Sequence, residues 1–414
     1  MKVIYLLFFV FLYSSEQVFV ACEGNYYQSN GSLWTISNDE VYGYEGNPLG
    51  QVVQSVLVHE DKLYVVVNVP GSIQVFDIND NGLTMVDYVD TQYSGPREML
   101  VVGDYLYFTN WYTADVKKLN LLTLEIESEI PMPGLPEDIV LYNDKIYVSI
   151  MMNSDWSDGS LLASIDMQSD SIVDTYEVGS GPGDILVFED ELYVSRTFYD
   201  ENWNAFYGTS KVNNQGEIVI NNYGAGMACG GSVHAINGSV YRSFNGGIAK
   251  LDQNLNILEE TRIGNFNHSD VYSVETIGDK IYFGLSDFSA PDEVVVLSND
   301  GQELNRFNVG AIPGDFAVWN SCLKNGDVNS DNVLNITDIV TVVYYVLDEA
   351  EYACSADINS DGNMNILDVV EMVQEILGIE SFRGAVNWLH HHFPELKVNE
   401  RIKKLHKSAI KHLK

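Results

Sequence analysis

The chain repeats a short strand pattern in which an apolar residue, a tyrosine and a second apolar residue follow one another. Six copies occur, and their tyrosines are separated by 43, 40, 46, 48 and 41 residues: Tyr64, Tyr107, Tyr147, Tyr193, Tyr241 and Tyr282. Two further segments of alternating apolar and polar residues follow most copies, for example Gly71–Asp77 and Leu83–Val89. Four short strands in each unit predict the blades of a β-propeller.

A second pattern, often Gly/Pro-x-Asp/Glu followed by an apolar residue, marks the first strand of each unit and gives the number of blades. It recurs near seven positions: Gln54, Glu98, Asp138, Asp184, Ser232, Asp270 and Asp315. The last copy, Pro313–Trp319, has no strand pattern after it, whereas three spare patterns precede the first copy: Asn25–Tyr27, Ser32–Ser37 and Val41–Glu45. We therefore predict a mainly β fold, a seven-bladed propeller whose C-terminal strand completes the N-terminal blade. This closure leaves no open sheet edge.

These repeats resemble the YVTN/YncE-type seven-bladed propellers of exported bacterial proteins. The resemblance covers about residues 25–320 and rests on the Leu/Ile-Tyr-Val strand and on the Pro-x-Asp turn before it. It implies the fold and implies no particular activity, because such propellers host many chemistries.

Two acidic loops follow the repeats and lie thirty residues apart. In each loop, oxygen-bearing side chains occupy positions 1, 3, 5, 9 and 12: Asp327, Asn329, Asp331, Asn335 and Asp338, then Asp357, Asn359, Asp361, Asn365 and Asp368. Ca²⁺ binds six to eight oxygen ligands, and this spacing wraps a chain around one ion. The helical apolar patterns after both loops superpose at the same offset. The spacing therefore predicts a duplicated calcium-binding loop–helix unit.

This unit resembles a type I dockerin, because position 12 is Asp rather than Glu and no helix precedes either loop. The resemblance implies two calcium ions held by the ten residues above, and a cohesin-like protein as the partner. In that family, loop positions 10 and 11 help to recognise the cohesin. Here they are Ile336-Thr337 and Ile366-Leu367, so one copy lacks a hydroxyl. An unusual cohesin and a docking surface on the same chain both remain open as partners.

Charge divides the chain further. The 22 basic and 59 acidic residues give a net charge of −37, which excludes non-specific binding to nucleic acid. Residues 381–414 instead hold eight basic and two acidic residues. The predicted domains are a signal peptide at 1–21, the propeller at 22–321, the dockerin-like domain at 322–380 and a helical tail at 381–414. The tail is basic and amphipathic, a type of helix that binds anionic membranes or acidic protein surfaces.

The N-terminus predicts export. Met1-Lys2 and the apolar run Val3–Leu12 form a signal that is too short to span a bilayer. Phe19–Cys22 resembles a lipobox, which makes Cys22 a candidate for lipidation; ordinary signal cleavage is the alternative. We expect an extracellular, cell-surface or envelope protein, with contact to a membrane only through such a lipid or the tail.

Cysteine positions indicate one disulfide. Cys322 and Cys354 lie five and three residues before the two acidic loops. In an oxidising compartment this pair is a plausible disulfide, worth about 3–4 kcal/mol. Cys229 is then left as a buried small hydrophobe.

Long aromatic loops make one propeller face a candidate for ligand binding. The candidates are Trp111, Trp156, Arg196, Trp203 and Tyr207. Aromatic rings with interleaved Asp and Asn suit sugar rings, and Arg196 could hold a carboxylate. The alternatives are that the aromatic residues cover their own blades and that the arginine neutralises nearby acids. The acids that recur once per blade are expected to be structural, and His234 and His268 are the candidates that break the repeat.

The function predicted first is an exported, non-catalytic binding protein. Its propeller recognises a glycan or other surface ligand, and its dockerin-like module attaches it to a protein in a calcium-dependent way. No catalytic residue is assigned, because no Gly-x-Ser-x-Gly, His-Glu-x-x-His or phosphate-loop motif occurs. The alternatives are a polysaccharide lyase or glycoside hydrolase carried on a dockerin, and a structural component of a surface assembly.

Overall fold

The computed structural model describes residues 16–79, 82–226, 230–320, 326–329, 333–348, 353–359 and 364–377. The described chain divides near Trp319 into two compact units. The predicted tail at 381–414 and the leader up to residue 15 lie outside the described residues.

The first unit consists, in its described part, of seven antiparallel four-stranded sheets. Six sheets are built from consecutive strands. The second sheet has β4 (Val52–His59), β5 (Lys62–Val69), β6 (Ser72–Asn79) and β7 (Gly82–Asp90). The third has β8 (Pro96–Val102), β9 (Tyr105–Asn110), β10 (Asp115–Asn120) and β11 (Ile126–Pro131). The fourth has β12 (Leu135–Tyr142), β13 (Lys145–Met152), β14 (Asp158–Asp166) and β15 (Ser171–Glu177).

The remaining sheets follow the same order. The fifth has β16 (Pro182–Phe188), β17 (Glu191–Tyr199), β18 (Ala205–Asn213) and β19 (Ile218–Ala225). The sixth has β20 (Val233–Ile236), β21 (Ser239–Phe244), β22 (Gly247–Leu251) and β23 (Ile257–Ile263). The seventh has β24 (Val271–Ile277), β25 (Lys280–Leu285), β26 (Asp292–Ser298) and β27 (Glu303–Val309). The first strand of each sheet lines a central channel. The unit is a seven-bladed β-propeller, as predicted.

The first sheet joins the two ends of the propeller. Its order is β28 (Pro313–Asn320), β1 (Glu16–Cys22), β2 (Ser32–Ser37) and β3 (Glu40–Gly43). The three-plus-one closure is therefore confirmed, but the assignment of Asn25–Tyr27 as its second strand is wrong. β1 takes that place, and Val20 pairs with Trp34 of β2.

The error has a physical cause. Both faces of β1 are buried: Phe19 and Ala21 pack against the second sheet, and Val18, Val20 and Cys22 pack against the seventh. A strand that is buried on both faces is a continuous apolar run with no alternation. Such a run just after an apolar leader is easily assigned to the signal.

Two further predictions at this end are contradicted by the same strand. The Cys22 side chain is fully buried beside Ser32, and burial raises the pKa of its thiol. A domain boundary between residues 21 and 22 would remove nearly all of β1 from the closing sheet. Lipidation at Cys22 is therefore wrong for this structure, and the propeller begins near Glu16 rather than at residue 22.

The second unit contains two helices in its described part. They are α1 (Ile336–Asp348) and α2 (Ile366–Leu377), and a single 3-10 turn spans Cys354–Ala356. Apolar side chains of the two helices form one shared core: Ile339, Val342, Val343 and Val346 of α1 with Val369, Val370, Met372 and Val373 of α2. Cys354 is disulfide-bonded. Its predicted partner Cys322, and Cys229, lie outside the described residues.

None of the helices in these described segments is long and apolar enough to cross a membrane.

A truncation distinguishes the two possible starts of the propeller. Compared with a chain that begins at Ser15, a chain that begins at Cys22 loses the buried Val18, Phe19 and Val20. At about 1.5–3 kcal/mol for each side chain, we expect a loss of roughly 5–9 kcal/mol. That is comparable with the whole stability of an ordinary domain, about 5–15 kcal/mol. Urea denaturation followed by tryptophan fluorescence measures it. Equal midpoints for the two chains would contradict the closure by β1.

Candidate functional site

The inner strands of several blades contain a β-bulge after a proline. The pairing register shifts between Pro96 and Met99, and at the equivalent place in β12 and β16. At this position in four blades a backbone N–H donates to a hydroxyl eleven residues later, at 3.0–3.2 Å. The four pairs are Glu98 with Thr109, Asp138 with Ser149, Asp184 with Ser195, and Ser232 with Ser243. This bond fixes the bulge and turns the side chain at that position toward the channel.

Seven residues occupy this bulge position around the ring. They are Ser55, Glu98, Asp138, Asp184, Ser232, Ser273 and Asp315. The pattern assigned by sequence used Gln54 and Asp270 in two of the blades. The structure has Ser55 and Ser273 there.

Four of the seven side chains bond to the inner strand of the next blade. Asp138 Oδ2 accepts from the N–H of Ile185 at 2.6 Å, and Asp315 Oδ2 accepts from the N–H of Val56 at 2.7 Å. Ser273 donates to the carbonyl of Pro313, and Ser55 makes the corresponding bond. These residues hold neighbouring blades together. The prediction that the recurring acids are structural is confirmed for Asp138 and Asp315.

Glu98 and Asp184 break this pattern. Their carboxylates make no hydrogen bond or ion pair with any described residue. Both line the central cavity, which has a volume of about 690 Å³. Burial, followed by the charge of nearby carboxylates, raises the pKa of both groups well above the ordinary values. These two acids are thus available to something other than the fold.

The cavity wall is acidic as a whole. Seven carboxylates line it: Glu23, Glu98, Glu137, Asp138, Asp184, Glu275 and Asp315. Burial raises the pKa of Asp138 to about 6, of Asp315 to about 7 and of Glu275 to about 8. Arg97 is the cation on this wall. Its Nε donates to Glu137 Oε2 at 3.2 Å and its guanidinium lies 4.2 Å from the centre of the Trp111 ring. Arg97 therefore neutralises Glu137.

His234 is the asymmetric histidine of this cavity. It is buried, and its Nε2 lies 2.6 Å from Ser232 Oγ. Burial lowers the pKa of the imidazole to about 4, so the ring is neutral at physiological pH. No carboxylate bonds to the ring in the described structure, so this serine–histidine pair lacks the third group that orients a catalytic base. His268 lies outside the cavity lining.

Arg196 is not on the ligand face, which corrects its assignment. Its side chain is only 2% exposed and its Nη2 donates to the carbonyl of Asn221 at 3.1 Å. Gly179 and Gly208 leave room for the guanidinium, because a Cβ at either position would lie within 2.8 Å of it. Burial lowers the pKa of Arg196 to about 10. The arginine packs inside the blade and cannot reach a ligand carboxylate.

The aromatic candidates divide into exposed and packed residues. They belong to the loop face, which we define by the loops at 111–114, 153–157, 200–204 and 286–291. Trp156 is 55% exposed and Trp203 is 79% exposed. Trp111 packs beneath Trp156 with ring centres 6.1 Å apart, and Tyr207 packs on Tyr223. The interpretation that the aromatic residues cover their own blades fits Trp111 and Tyr207 only.

Sequence reasoning missed a third exposed aromatic residue, Phe288. Like Trp156 and Trp203, it has a positive φ, and the three angles are 67°, 66° and 62°. Bulky residues seldom adopt this conformation. A nearby aspartate supports each turn by accepting backbone N–H groups: Asp155, Asp200 and Asp287. In two of these loops the aspartate directly precedes the aromatic residue, as Asp155-Trp156 and Asp287-Phe288, and this pair is the signal that could have found Phe288.

The two acidic loops of the second unit share one geometry. Asp338 Oδ2 accepts from the N–H of Asn335 at 2.9 Å, and Asp368 Oδ2 accepts from the N–H of Asn365 at 2.8 Å. The other oxygen of each aspartate faces the start of its loop, where Asn329 and Asn359 donate at 3.2 and 3.4 Å. Position 12 therefore closes both loops in the same way.

The charges in these loops fit a calcium ion. Asp338, Asp357 and Asp368 are all fully buried. Residues 325–377 contain no Lys, Arg or His, so no side chain of this segment can offset these charges. Buried carboxylates of this kind are stabilised by a metal ion, and an all-oxygen donor set suits Ca²⁺. Asp331 and Asp361, the ligands expected at position 5, lie outside the described residues.

Comparison with known families agrees with this geometry. Residues 325–377 match the family model of the dockerin type I domain. The second unit carries a type I dockerin domain. Such domains bind calcium and typically bind cohesins, and the proteins that carry them are typically extracellular or attached to the cell surface. The dockerin thus indicates calcium-dependent attachment of the propeller to another protein.

Solved structures resemble the propeller in fold. A hypothetical selenium-binding protein from Sulfolobus tokodaii has a TM-score of 0.56 at 9% identity, covering 75% of this chain and 94% of that chain. A functionally unknown protein from Desulfotomaculum acetoxidans has a TM-score of 0.53 at 14% identity, covering 73% and 98%. Kuenenia stuttgartiensis hydrazine synthase has a TM-score of 0.51 at 13% identity, covering 65% and 96%. At these identities the likeness shows the fold alone. Among curated proteins, none matches the sequence.

The raised pKa values predict an unusual pH dependence of stability. Because the folded-state pKa values of Asp138, Asp315 and Glu275 lie above those of exposed acids, the folded propeller binds more protons than the unfolded chain between about pH 4 and 8. Its stability should therefore rise as the pH falls through this range. We expect a higher urea midpoint at about pH 5.5 than at about pH 8.5, measured by tryptophan fluorescence in excess calcium.

The control for this prediction is the double variant Glu98→Gln, Asp184→Asn. It removes two of the carboxylates without breaking a hydrogen bond, so the difference between the two pH values should become smaller. A midpoint that falls steadily as the pH is lowered would contradict the prediction.

Proposed function

We propose that this chain is an exported binding protein whose propeller recognises a glycan on its loop face and whose dockerin attaches it to a cohesin. The observation that carries the glycan part is the placement of the aromatic side chains. Trp156, Trp203 and Phe288 are the exposed Trp and Phe residues of the described propeller, and all three lie on the loop face. Exposed rings beside Asp and Asn side chains suit sugars, which offer an apolar face and a rim of hydroxyls.

A leader that ends before Glu16 accommodates the proposed export. The apolar run Val3–Leu12 lies entirely upstream of β1. Cleavage in the short polar stretch between them would leave the closing sheet complete. Extracellular or cell-surface placement then agrees with the dockerin and with the disulfide at Cys354.

We propose further that the dockerin binds two calcium ions and meets its cohesin through α1. Ile336 and Val340, one helical turn apart, are 46% and 49% exposed. Their equivalents on α2, Ile366 and Val370, are buried. Although the sequence of the module is duplicated, α1 therefore presents an apolar surface that α2 does not. The cohesin should therefore bind in one orientation, through α1, rather than in two alternative orientations.

A polysaccharide-cleaving enzyme, a lyase or a glycoside hydrolase, is the second candidate function. The observation that favours it is the pair of unbonded carboxylates, Glu98 and Asp184, whose raised pKa values suit acid–base chemistry. The binding function ranks first because it accounts for the exposed aromatic residues of the loop face. A purely structural role in a surface assembly does not account for the exposed aromatic residues.

Affinity electrophoresis in gels that contain polysaccharides tests the glycan-binding role. Trp156→Ala and Trp203→Ala should each weaken binding at least about tenfold, a change of about 1.4 kcal/mol. Tyr88→Ala is the matched control, because Tyr88 is an exposed aromatic residue on the outer strand β7, away from the loop face. Retained binding in both tryptophan variants would overturn the proposal. Release of new reducing ends or unsaturated products in the same samples would instead support the enzyme.

Calcium removal tests the dockerin. Chelation with EGTA should lower the helical circular dichroism signal at about 222 nm, because the buried carboxylates repel one another without the cation. Asp338→Ala and Asp368→Ala should each lose about half of this calcium-dependent signal, since each closes one loop. Glu371→Ala is the control, as Glu371 lies on α2 but is exposed. An unchanged spectrum on chelation would contradict calcium-dependent folding.

A further inference from the structure

The residues of the central cavity indicate a more specific ligand than the residues of the loop face do. Of the side chains at the seven bulge positions, Asp138 and Asp315 accept backbone N–H groups from the next blade, whereas Glu98 and Asp184 accept none from described residues. A residue that departs from the repeat without a bonding partner is not explained by the fold. These two acids therefore point to a ligand.

His234 supplies an independent observation on the same cavity. The side chain is only 4% exposed and lines the cavity wall. Its Nε2 is held by Ser232, while its Nδ1 has no hydrogen-bond partner among the described residues. This ring nitrogen is therefore available to a ligand that enters the cavity. Polar groups without a hydrogen-bond partner among the described residues therefore occur at two places on the cavity wall, at the two acids and at His234.

The size and the charge of the cavity restrict the ligand. In the segments that the structure describes, no three His, Cys, Asp or Glu side chains converge closely enough to hold a metal ion. A volume of about 690 Å³ is that of a site for an organic molecule. Seven carboxylates face Arg97, which is already paired with Glu137. No free positive charge of the described lining is therefore left to bind an anionic sugar such as a uronate, whereas a protonated amine favours the ionised form of the acids beside it.

One aromatic residue of the loop face also belongs to the acidic cavity. Phe288 of the loop face and Tyr272 both line the cavity. Tyr272 donates its hydroxyl to Glu23 at 2.8 Å, so the ring is held at the wall. An aromatic side chain and the carboxylates are therefore both open to a ligand that occupies the cavity.

We propose that the cavity binds the protonated amine of a glycan that contains amino sugars, through Glu98 and Asp184. This inference rests on the proposed glycan-binding role and names the substrate class for it. The aromatic rings contact the apolar faces of the sugars, and the two unbonded carboxylates accept the ammonium hydrogens. His234 Nδ1 pairs with a hydroxyl of the same sugar.

Two oligosaccharides that differ only in the amine test this proposal. The full chain, saturated with calcium, is titrated at neutral pH with a glucosamine hexamer and with the N-acetylglucosamine hexamer of the same linkage, by isothermal titration calorimetry. The free amine should bind at least about tenfold more tightly. Glu98→Gln and Asp184→Asn should each remove most of this difference, and neither variant breaks a hydrogen bond of the fold.

Glu201→Gln is the matched control. Glu201 is an exposed acid in the loop at 200–204 and lies outside the cavity lining. An equal loss of binding in this variant would mean general attraction to an acidic surface and would overturn the proposal. Equal affinity for the two hexamers, both dependent on Trp156 and Trp203, would overturn the amine site and leave the proposed glycan-binding role intact. Binding of neither hexamer or of any polysaccharide in the gels would overturn both.

Discussion

The propeller depends on one pairing, that of β28 with β1. Each of the other six sheets is built from a continuous stretch of chain and can form locally. The first sheet cannot, because its inner strand is almost three hundred residues away from the strand beside it. The inter-blade bonds at the seam, where the two ends of the chain meet, need this pairing. The bond from Val56 to Asp315 is an example, since it joins the second sheet to the closing strand.

Closure also creates the binding surface. When the ring is complete, seven carboxylates from separate positions along the chain line one cavity, and four of them lie at the bulge positions of the inner strands. Their mutual repulsion opposes folding, and the fold relieves part of it through backbone N–H groups that pair with Asp138 and Asp315. Glu98 and Asp184 accept no such hydrogen bond from the described residues. The cavity therefore combines a rigid wall with negative charge that the protein itself does not satisfy.

Much of this architecture could be predicted from the sequence, because its signals are local or periodic. The spacing of the tyrosines gives the blades, and the spacing of Asp327 to Asp338 gives a calcium loop, within a few residues in each case. Strand β1 could not be recognised, since burial on both faces removes the alternation that identifies a strand. Arg196 was misplaced because its direction depends on the room left by two distant glycines. The difference between Asp138 and Asp184 depends on bulge geometry and on the next blade, which no local pattern contains.

The covalent route between the two units has a mechanical consequence. β28 ends at Asn320, and the dockerin begins at residue 325, so only a few residues separate the attachment module from the closing strand. A pulling force on a dockerin held by its partner, for instance in flowing liquid, would enter the propeller at that strand. The strand whose pairing closes the ring is therefore also the one that carries the load. The resistance of the tethered protein to shear would then be set by the hydrogen bonds between β28 and β1, rather than by the average stability of the blades.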